Sequence, residues 1–436
     1  MIFGLGLNQG GVGAVKFFSA LGAKVRVTDL RDAGTLKPSL EELKNLPDIN
    51  YTLGEHKYGD FEWADLILRN PAIKDSSPYL NYALENKKIV ETDFSIFLEF
   101  ANQKKIIAVT GTKGKSTTSS LIYEAMKLSG KEVVFAGNIG RSILDIIPYL
   151  EKDPWIIVEI SSFQLHALKN ENFAPHIAVI TNIYPDHLNW HSSMEEYINA
   201  KISIAKNQTD QDFLFVSTHK LSGHQIPLKG IKSSVFIFCG ECFKEDYPNS
   251  NFTLKGTANM ENYAAAFSVT DTLGIDEKTI FQAFKNFKGG EFRMQTLREV
   301  SGIKIINDST ATNPISTIEA LKTLSGTSVI LIAGGMNKGM PYHELTAQIE
   351  SYSPVKSLYL LEGDATDELK KYIRDPHLVK GKGTYNDLEQ LLRDIRKEAK
   401  KGDVILFSPG ATSFNLFQNE FDRGRKFNIA VDKIFV

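Results

Sequence analysis

Ile106-Ile107-Ala108-Val109-Thr110-Gly111-Thr112-Lys113-Gly114-Lys115-Ser116-Thr117 carries an apolar strand into two glycines, a lysine and a pair of hydroxyls. Thr118 to Leu128, directly after it, reads as a helix. Glycines let backbone N–H groups turn toward one point, a helix N-terminus adds partial positive charge, and Lys115 can reach phosphate oxygens while a hydroxyl holds Mg2+. The stretch is therefore a phosphate cradle. It is shorter than the common G-x-x-x-x-G-K-[ST] loop, because only two residues separate Gly111 from Gly114.

Working outward, Trp155 to Val158 is a second strand that ends in Glu159, and Ile177 to Ile180 is a third that runs into Thr181-Asn182-Ile183-Tyr184-Pro185-Asp186-His187. Open α/β sheets place ligands at the carboxyl ends of their strands, so Glu159 becomes a candidate Mg2+ ligand. Strand-like runs alternate with helical stretches along nearly the whole chain, which predicts an α/β fold of parallel sheets with crossover helices. At 436 residues the chain exceeds one core. The breaks near Thr92 and at Lys288-Gly289-Gly290 predict three domains, 1–91, 92–289 and 290–436.

Composition narrows the function further. Lysine and arginine number 50 against 52 acidic residues, so the charge balance leaves no electrostatic footprint for nucleic acid. No apolar run approaches the ~20 residues that span a bilayer, and the N-terminus lacks the charged start of a secretory signal. The reading is a cytoplasmic protein with no membrane partner. Cys239 and Cys242 are the only cysteines. With no second pair to complete a zinc site, and a strand rather than a helix expected before them, they read as two ordinary reduced thiols. Gly4-Leu5-Gly6 followed by Asp29 also fits the opening of a dinucleotide-binding fold, although the third glycine of that fingerprint falls at Gln9. A nicotinamide oxidoreductase and a non-catalytic nucleotide switch therefore stand beside an ATP-using enzyme. Lys201, in the helix-like stretch Met194 to Ala205, reads as a solvated surface lysine, and His187 as a hydrogen-bonded structural residue.

Gly111 to Thr117, Gly137-Asn138-Ile139-Gly140, Glu159-Ile160-Ser161-Ser162-Phe163-Gln164-Leu165 and Thr181 to Leu188 together resemble the Mur ligases. The Ser-Ser-Phe-Gln-Leu run is similar to that of the D-glutamate-adding branch. The likeness continues through Asn259 to Ala265, Arg293, Asn307-Asp308-Ser309-Thr310-Ala311-Thr312-Asn313, Lys338 in Gly334 to Lys338, and Ser413 in Ser408 to Ser413. It implies a Rossmann-like first domain for the UDP moiety, a central P-loop ATPase-like domain, and a Rossmann-like third domain that brings the incoming amino acid. The implied substrates are UDP-N-acetylmuramoyl-L-alanine, glutamate and ATP, acted on by a monomer through an acyl phosphate.

Residue by residue, the resemblance implies that Lys115, Asn138, His187 and Lys201 are catalytic. Gly111, Thr112, Lys113, Gly114, Lys115, Ser116, Thr117, Asn262, Arg293 and Asp308 would meet ATP. Leu7, Asn8, Asp29, Arg31, Asn70, Asn138, Gln164 and His187 would meet the UDP substrate, and Thr312, Lys338 and Ser413 the amino acid. Two Mg2+ ions are implied, one on Ser116 and Glu159, the other on His187 and a carbamylated Lys201. Phe292, Thr310, Asn189 and Glu420 stand where the family commonly has His, Lys, Asp and an aromatic residue. A Mur ligase for another amino acid, such as L-alanine or L-glutamate, and a folate polyglutamylating relative are the alternatives.

Overall fold

The computed structural model describes residues 1–7, 10–137, 142–186, 190–218, 227–254, 256–337, 340–351 and 355–436. Among these described residues, sixteen strands fall into three sheets. The first contains β1 (Ile2–Phe3), β2 (Val25–Asp29), β3 (Ile49–Leu53), β4 (Leu66–Arg69) and β5 (Ile89–Glu91), in the order β3-β2-β1-β4-β5 and all parallel.

The second sheet contains β6 (Ile106–Thr110), β7 (Val133–Gly137), β8 (Trp155–Glu159), β9 (Ile177–Ile180), β10 (Phe213–Ser217) and β11 (Ser234–Phe238). Its order is β11-β10-β9-β6-β8-β7, again parallel. Every residue of β6 and β9 is buried, as expected of parallel strands covered by helices on both faces. The order places the carboxyl ends of β6, β8 and β9 side by side, so the segments after Thr110, Glu159 and Ile180 share one edge.

The third sheet contains β12 (Gln295–Val300), β13 (Ile303–Asn307), β14 (Ser328–Gly334), β15 (Val355–Leu361) and β16 (Asp403–Phe407), in the order β12-β13-β16-β14-β15. β12 is the antiparallel edge, and the other pairings are parallel.

Residues Met1–Phe287 form one compact unit and Lys288–Val436 another. The first two sheets share a unit because one apolar cluster runs through both, joining Ile2, Val27 and Leu68 to Ile106, Ala136 and Val158. The joint is tight. A Cβ on Gly13, in the helix Gly10–Ala20, would lie 2.1 Å from Ser142 Cβ, so only glycine lets that helix reach the 3-10 helix Ile143–Lys152. Thr92 starts the passage between the sheets with a reciprocal cap on the helix Asp93–Leu98, in which Ser95 N–H donates to Thr92 Oγ1 at 2.9 Å.

The cysteine reading is overturned. β11 runs straight into the helix Gly240–Asp246, with Cys239 as its N-cap, and Cys239 is disulfide-bonded to Cys242. The apolar strand made a following helix seem excluded. In fact the three-residue spacing brings both sulfurs into that helix's first turn.

Candidate active site

The phosphate loop takes its shape from two glycines and from the segment after β9. Gly111 and Gly114 have φ of 147° and 84°, a region unfavourable to other residues. A Cβ at Gly111 would also sit 1.9 Å from Thr181 Oγ1, and one at Gly114 2.3 Å from Asn262 Oδ1. Asn182 clamps Lys113 from both sides: Lys113 N–H donates to Asn182 Oδ1 at 2.8 Å, and Asn182 Nδ2 donates to Lys113 O at 2.9 Å. Gly114 then precedes the helix Lys115–Leu128, whose first-turn N–H groups and partial positive charge suit an anion. Lys115 Nζ folds back on the carbonyls of Gly111 and Thr112, at 3.0 and 3.2 Å. Ser116 is half-buried and Thr117 buried in that first turn. Asn262, in the helix Thr257–Thr272, accepts from Thr118 Oγ1 at 3.2 Å.

Lys201 corrects the surface reading. Only 2% of it is exposed. Its Nζ donates to Gly111 O at 2.9 Å and lies 4.6 Å from the centre of the Tyr197 ring. Burial, reinforced by the neighbouring Lys115 charge, holds its amine well below the usual lysine range. Tyr197 sits four residues earlier, on the same face of the helix Met194–Ile202. Its hydroxyl pairs with Thr112 Oγ1 at 2.9 Å, so one buried ring supports both the lysine and the loop. Glu159 ends β8 and is 2% exposed, and its Oε2 is buried with no hydrogen-bond partner. A buried carboxylate oxygen left unpaired is costly, and a divalent cation would satisfy it. Among the described residues no cluster of three potential metal-ligating side chains occurs. Mg2+ keeps several waters and binds through one or two carboxylates together with phosphates.

In the first sheet, Gly4 and Gly6 adopt φ of 90° and 67°. Asp29 closes their turn, accepting from Gly6 N–H and Arg31 N–H, both at 2.9 Å. Asn70 Nδ2 donates to Gly4 O at 3.2 Å, and Leu7 is half-buried beside this turn. The segment after Asn70 docks on the middle sheet: Trp190 Nε1 donates to Ala72 O at 2.8 Å, while Asp75 pairs with Arg69 at 2.7 Å and His166 at 3.1 Å. A cavity of about 430 Å3 lies there, lined in part by Asp75, His166, Trp190 and His191. Gln164 belongs to the helix Ser162–Ala167, and its Oε1 accepts from Ser161 N–H and Oγ at 2.9 Å. The side-chain NH2 of Gln164 is what remains for a ligand.

In the Lys288–Val436 unit, Arg293 is exposed between two residues in the left-handed region, Phe292 at φ 57° and Met294 at φ 46°. Such backbone persists only where neighbours hold it. Here Thr310 N–H and Oγ1 donate to Phe292 O at 3.0 and 2.9 Å, and Met294 N–H donates to Asp308 at 3.0 Å. Asp308 is thus a buried brace of the Arg293 turn, its other oxygen accepting from Ser408 Oγ at 2.7 Å. Burial pushes its carboxyl up to about 6.

The unusual residues meet at this turn. Thr310 holds Phe292, whose ring fills the space above Gly424 and meets Phe421 edge-on, and Ser309 Oγ donates to Glu420 O at 2.8 Å. Three of the four departures therefore lie at one corner.

Arg423 was not picked out from the sequence, since an arginine in the polar helix Glu420–Ile434 reads as surface. It is fully buried, donating to Ser309 Oγ and O at 3.0 and 2.6 Å and to Ala411 O at 3.0 Å. Burial lowers its guanidinium to about 10. It ties the Asn307 to Asn313 segment to the Ser408 to Ser413 segment. Between them Thr312 is half-buried, and Ser413 Oγ is buried without a partner, a hydroxyl in want of a ligand. Asn8, Asn138, His187, Asn189 and Lys338 lie outside the described residues.

In the Met1–Phe287 unit a phosphate loop and a carboxylate at the neighbouring strand end have the parts of a nucleotide-binding site, and in the Lys288–Val436 unit an unpaired hydroxyl follows a strand end of a mostly parallel sheet. The chain belongs to the Mur ligase family. It matches the Mur ligase MurD-like N-terminal domain over residues 1–91, the Mur ligase middle domain over 109–235 and the Mur ligase glutamate ligase domain over 292–410. Among its relatives, the UDP-N-acetylmuramoylalanine--D-glutamate ligase of Borreliella afzelii (strain PKo) is 36% identical over 100% of this chain and 97% of its own. The enzymes of the same name from Roseiflexus sp. (strain RS-1) and Clostridioides difficile (strain 630) are 34% and 31% identical, each over 99% of this chain and 98% of their own.

In fold the chain resembles the UDP-N-acetylmuramate-alanine ligase of Thermotoga maritima, with a TM-score of 0.62 at 17% identity, covering 99% of this chain and 98% of that one. It also resembles the MurF ligase of the same organism in complex with ADP, with a TM-score of 0.55 at 17% identity over 94% and 95%. Ligases of this family use ATP with Mg2+. No helix among the described residues is long and apolar enough to cross a membrane.

Proposed function

We propose that this chain joins D-glutamate to UDP-N-acetylmuramoyl-L-alanine at the expense of ATP, a step of peptidoglycan precursor synthesis, acting as a monomer in the cytoplasm. The observation that carries the reading is the full-length match to D-glutamate ligases together with the intact phosphate loop, Glu159 and buried Lys201 at one sheet edge. Residues 1–91 take the UDP substrate, 92–289 take ATP, and 290–436 bring the amino acid.

A carboxylate is a poor acyl donor, so it is first made into an acyl phosphate. Lys115 and the N–H groups of the helix Lys115–Leu128 hold the β and γ phosphates in line with the alanyl carboxylate, whose oxygen bonds to the γ phosphorus as the bond to ADP breaks. The amine of glutamate then attacks the acyl carbon, loses a proton, and expels phosphate to leave the amide. Mg2+ on Ser116, Glu159, His187 and Lys201, as two ions, would offset the charge of the crowded oxygens. Lys201 suits such a role once carbamylated. Its neutral amine, favoured by burial, adds to the carbon of CO2 and loses a proton, turning a cation into a carboxylate-like ligand.

Asn262 and Arg293 face the nucleotide, Asp308 sets the Arg293 turn, and Thr312, Lys338 and Ser413 receive the carboxylates of glutamate. On the substrate side, Leu7, Asn8, Arg31 and Asn70 surround the UDP moiety, with Asp29 shaping its turn. Asn138, Gln164 and His187 meet the muramoyl-alanine end.

An amino-acid panel with UDP-N-acetylmuramoyl-L-alanine, ATP and Mg2+, scored by product mass, tests this. D-Glutamate should give a product heavier by one glutamyl residue. Preference for L-glutamate or L-alanine would reassign the substrate, and ATP hydrolysis with no mass gain would reject the ligase reading.

A further inference from the structure

We propose that Cys239 and Cys242 form a dithiol/disulfide site that exchanges with small-molecule thiols and disulfides. Its oxidation state tunes the nucleotide affinity of the phosphate loop through Gly240, Glu261 and Asn262. The inference rests on Asn262 facing the nucleotide and is independent of which amino acid is added.

The two sulfurs are joined, Cys242 is exposed, and Cys242 N–H donates to Cys239 Sγ at 3.1 Å. An exposed disulfide closing one helical turn is within reach of thiols, and disulfides of reducing compartments are typically transient and redox-sensing. From that turn a short chain of direct contacts leads to the nucleotide site. Gly240 N–H donates to Glu261 Oε1 at 3.0 Å, and Glu261 Oε2 accepts from Ser217 Oγ at 3.1 Å. A Cβ at Gly240 would lie 2.6 Å from Glu261 N and 2.9 Å from Met260 C. The two backbones thus touch with no side chain between them to absorb a shift. The next residue is Asn262, which accepts from Thr118 and fills the space over Gly114.

The chemistry balances as an exchange. One protein thiolate attacks a sulfur of a small disulfide and releases a thiolate. The second protein thiolate then attacks the mixed disulfide and releases another. Two protons and two electrons leave the cysteine pair, and the small disulfide becomes two thiols. When the bond is broken the sulfurs separate to van der Waals distance and the turn relaxes. The bonded form therefore holds Glu261 and Asn262 in the arrangement described, and reduction loosens it.

The test uses the full chain in Mg2+ buffer poised with oxidised or reduced glutathione. Alkylation and mass spectrometry count the free thiols, and calorimetry measures ADP binding. The expected result is a severalfold tighter Kd for ADP when the thiol count is zero than when it is two. The C239S/C242S variant should bind like the reduced protein whatever the buffer, and E261Q should keep the thiol titration while losing most of the affinity difference. Equal ADP affinity at both thiol counts would overturn the proposal, as would cysteines that stay reduced in fully oxidising buffer. Absence of ADP binding in either form would overturn the nucleotide reading of Asn262 as well.

Discussion

At the carboxyl edge of the middle sheet, ligand-facing groups are held by backbone: Gly111 and Gly114 in conformations that other residues resist, and Lys113 clamped by Asn182. At the corresponding edge of the third sheet they are held by buried charge, with Arg423 bridging Ser309 to Ala411 and Asp308 pinning Met294 and Ser408. A backbone cradle recognises what every nucleotide shares, its phosphates. A cradle of side chains on a buried charged brace can be rebuilt residue by residue; here Phe292 packs on Gly424 and Phe421 while Thr310 holds its backbone. On the proposed function, the difference assigns the phosphate chemistry to the first edge and the choice of amino acid to the second.

Four substitutions break or sharpen that contrast. Lys115→Ala should act on the first edge alone. Turnover should fall by on the order of 10^3 to 10^4, with UDP-substrate binding by calorimetry largely retained; loss of that binding would mean that the loop also builds the substrate cleft. Arg423→Met should act on the second. Removing the donor to two buried carbonyls and a hydroxyl should cost about 3 to 5 kcal/mol, seen as early unfolding of the Lys288–Val436 unit while ADP binding by the first unit persists.

Asp93→Asn probes a buried carboxyl that no arginine braces. Burial raises Asp93 to about 6, and its Oδ1 has no partner. Because the folded pKa lies above the unfolded value, the folded state holds its proton more tightly. The penalty is absent near pH 4 and grows as pH rises through about 6. The variant should therefore match wild type near pH 4 in urea melts and exceed it by about 3 kcal/mol at pH 7; a constant gap would show that the carboxyl is not the cause. The smallest effect is expected from Ser413→Ala, about 1 kcal/mol, read as a KM for glutamate raised roughly fivefold with little change in KM for ATP. Equal shifts in both would place Ser413 outside the amino-acid pocket.

The first edge was legible in the sequence because its parts are contiguous. A strand, glycines, a lysine and a helix keep a fixed spacing, and Glu159 ends its own apolar strand. Strand ends fell within a residue of expectation, as where β8 closes at Glu159 rather than Val158. Lys201 was misjudged because what buries it comes from elsewhere: the Gly111 carbonyl arrives from β6, and only Tyr197, four residues away, gave a local hint. The bracing role of Asp308 and the burial of Arg423 were hidden for the same reason, since their partners lie near residues 294, 309, 408 and 411. The cysteine pair failed differently. A strand was read as excluding a helix, although β11 passes into one without a loop.

Central to the proposed function is the phosphorylation of the acceptor's carboxylate by ATP. The most direct measurement labels that carboxylate with 18O, runs the reaction with D-glutamate, and weighs the phosphate released. One 18O atom transferred to each phosphate is the predicted result. Phosphate carrying only 16O, alongside normal product, would contradict it.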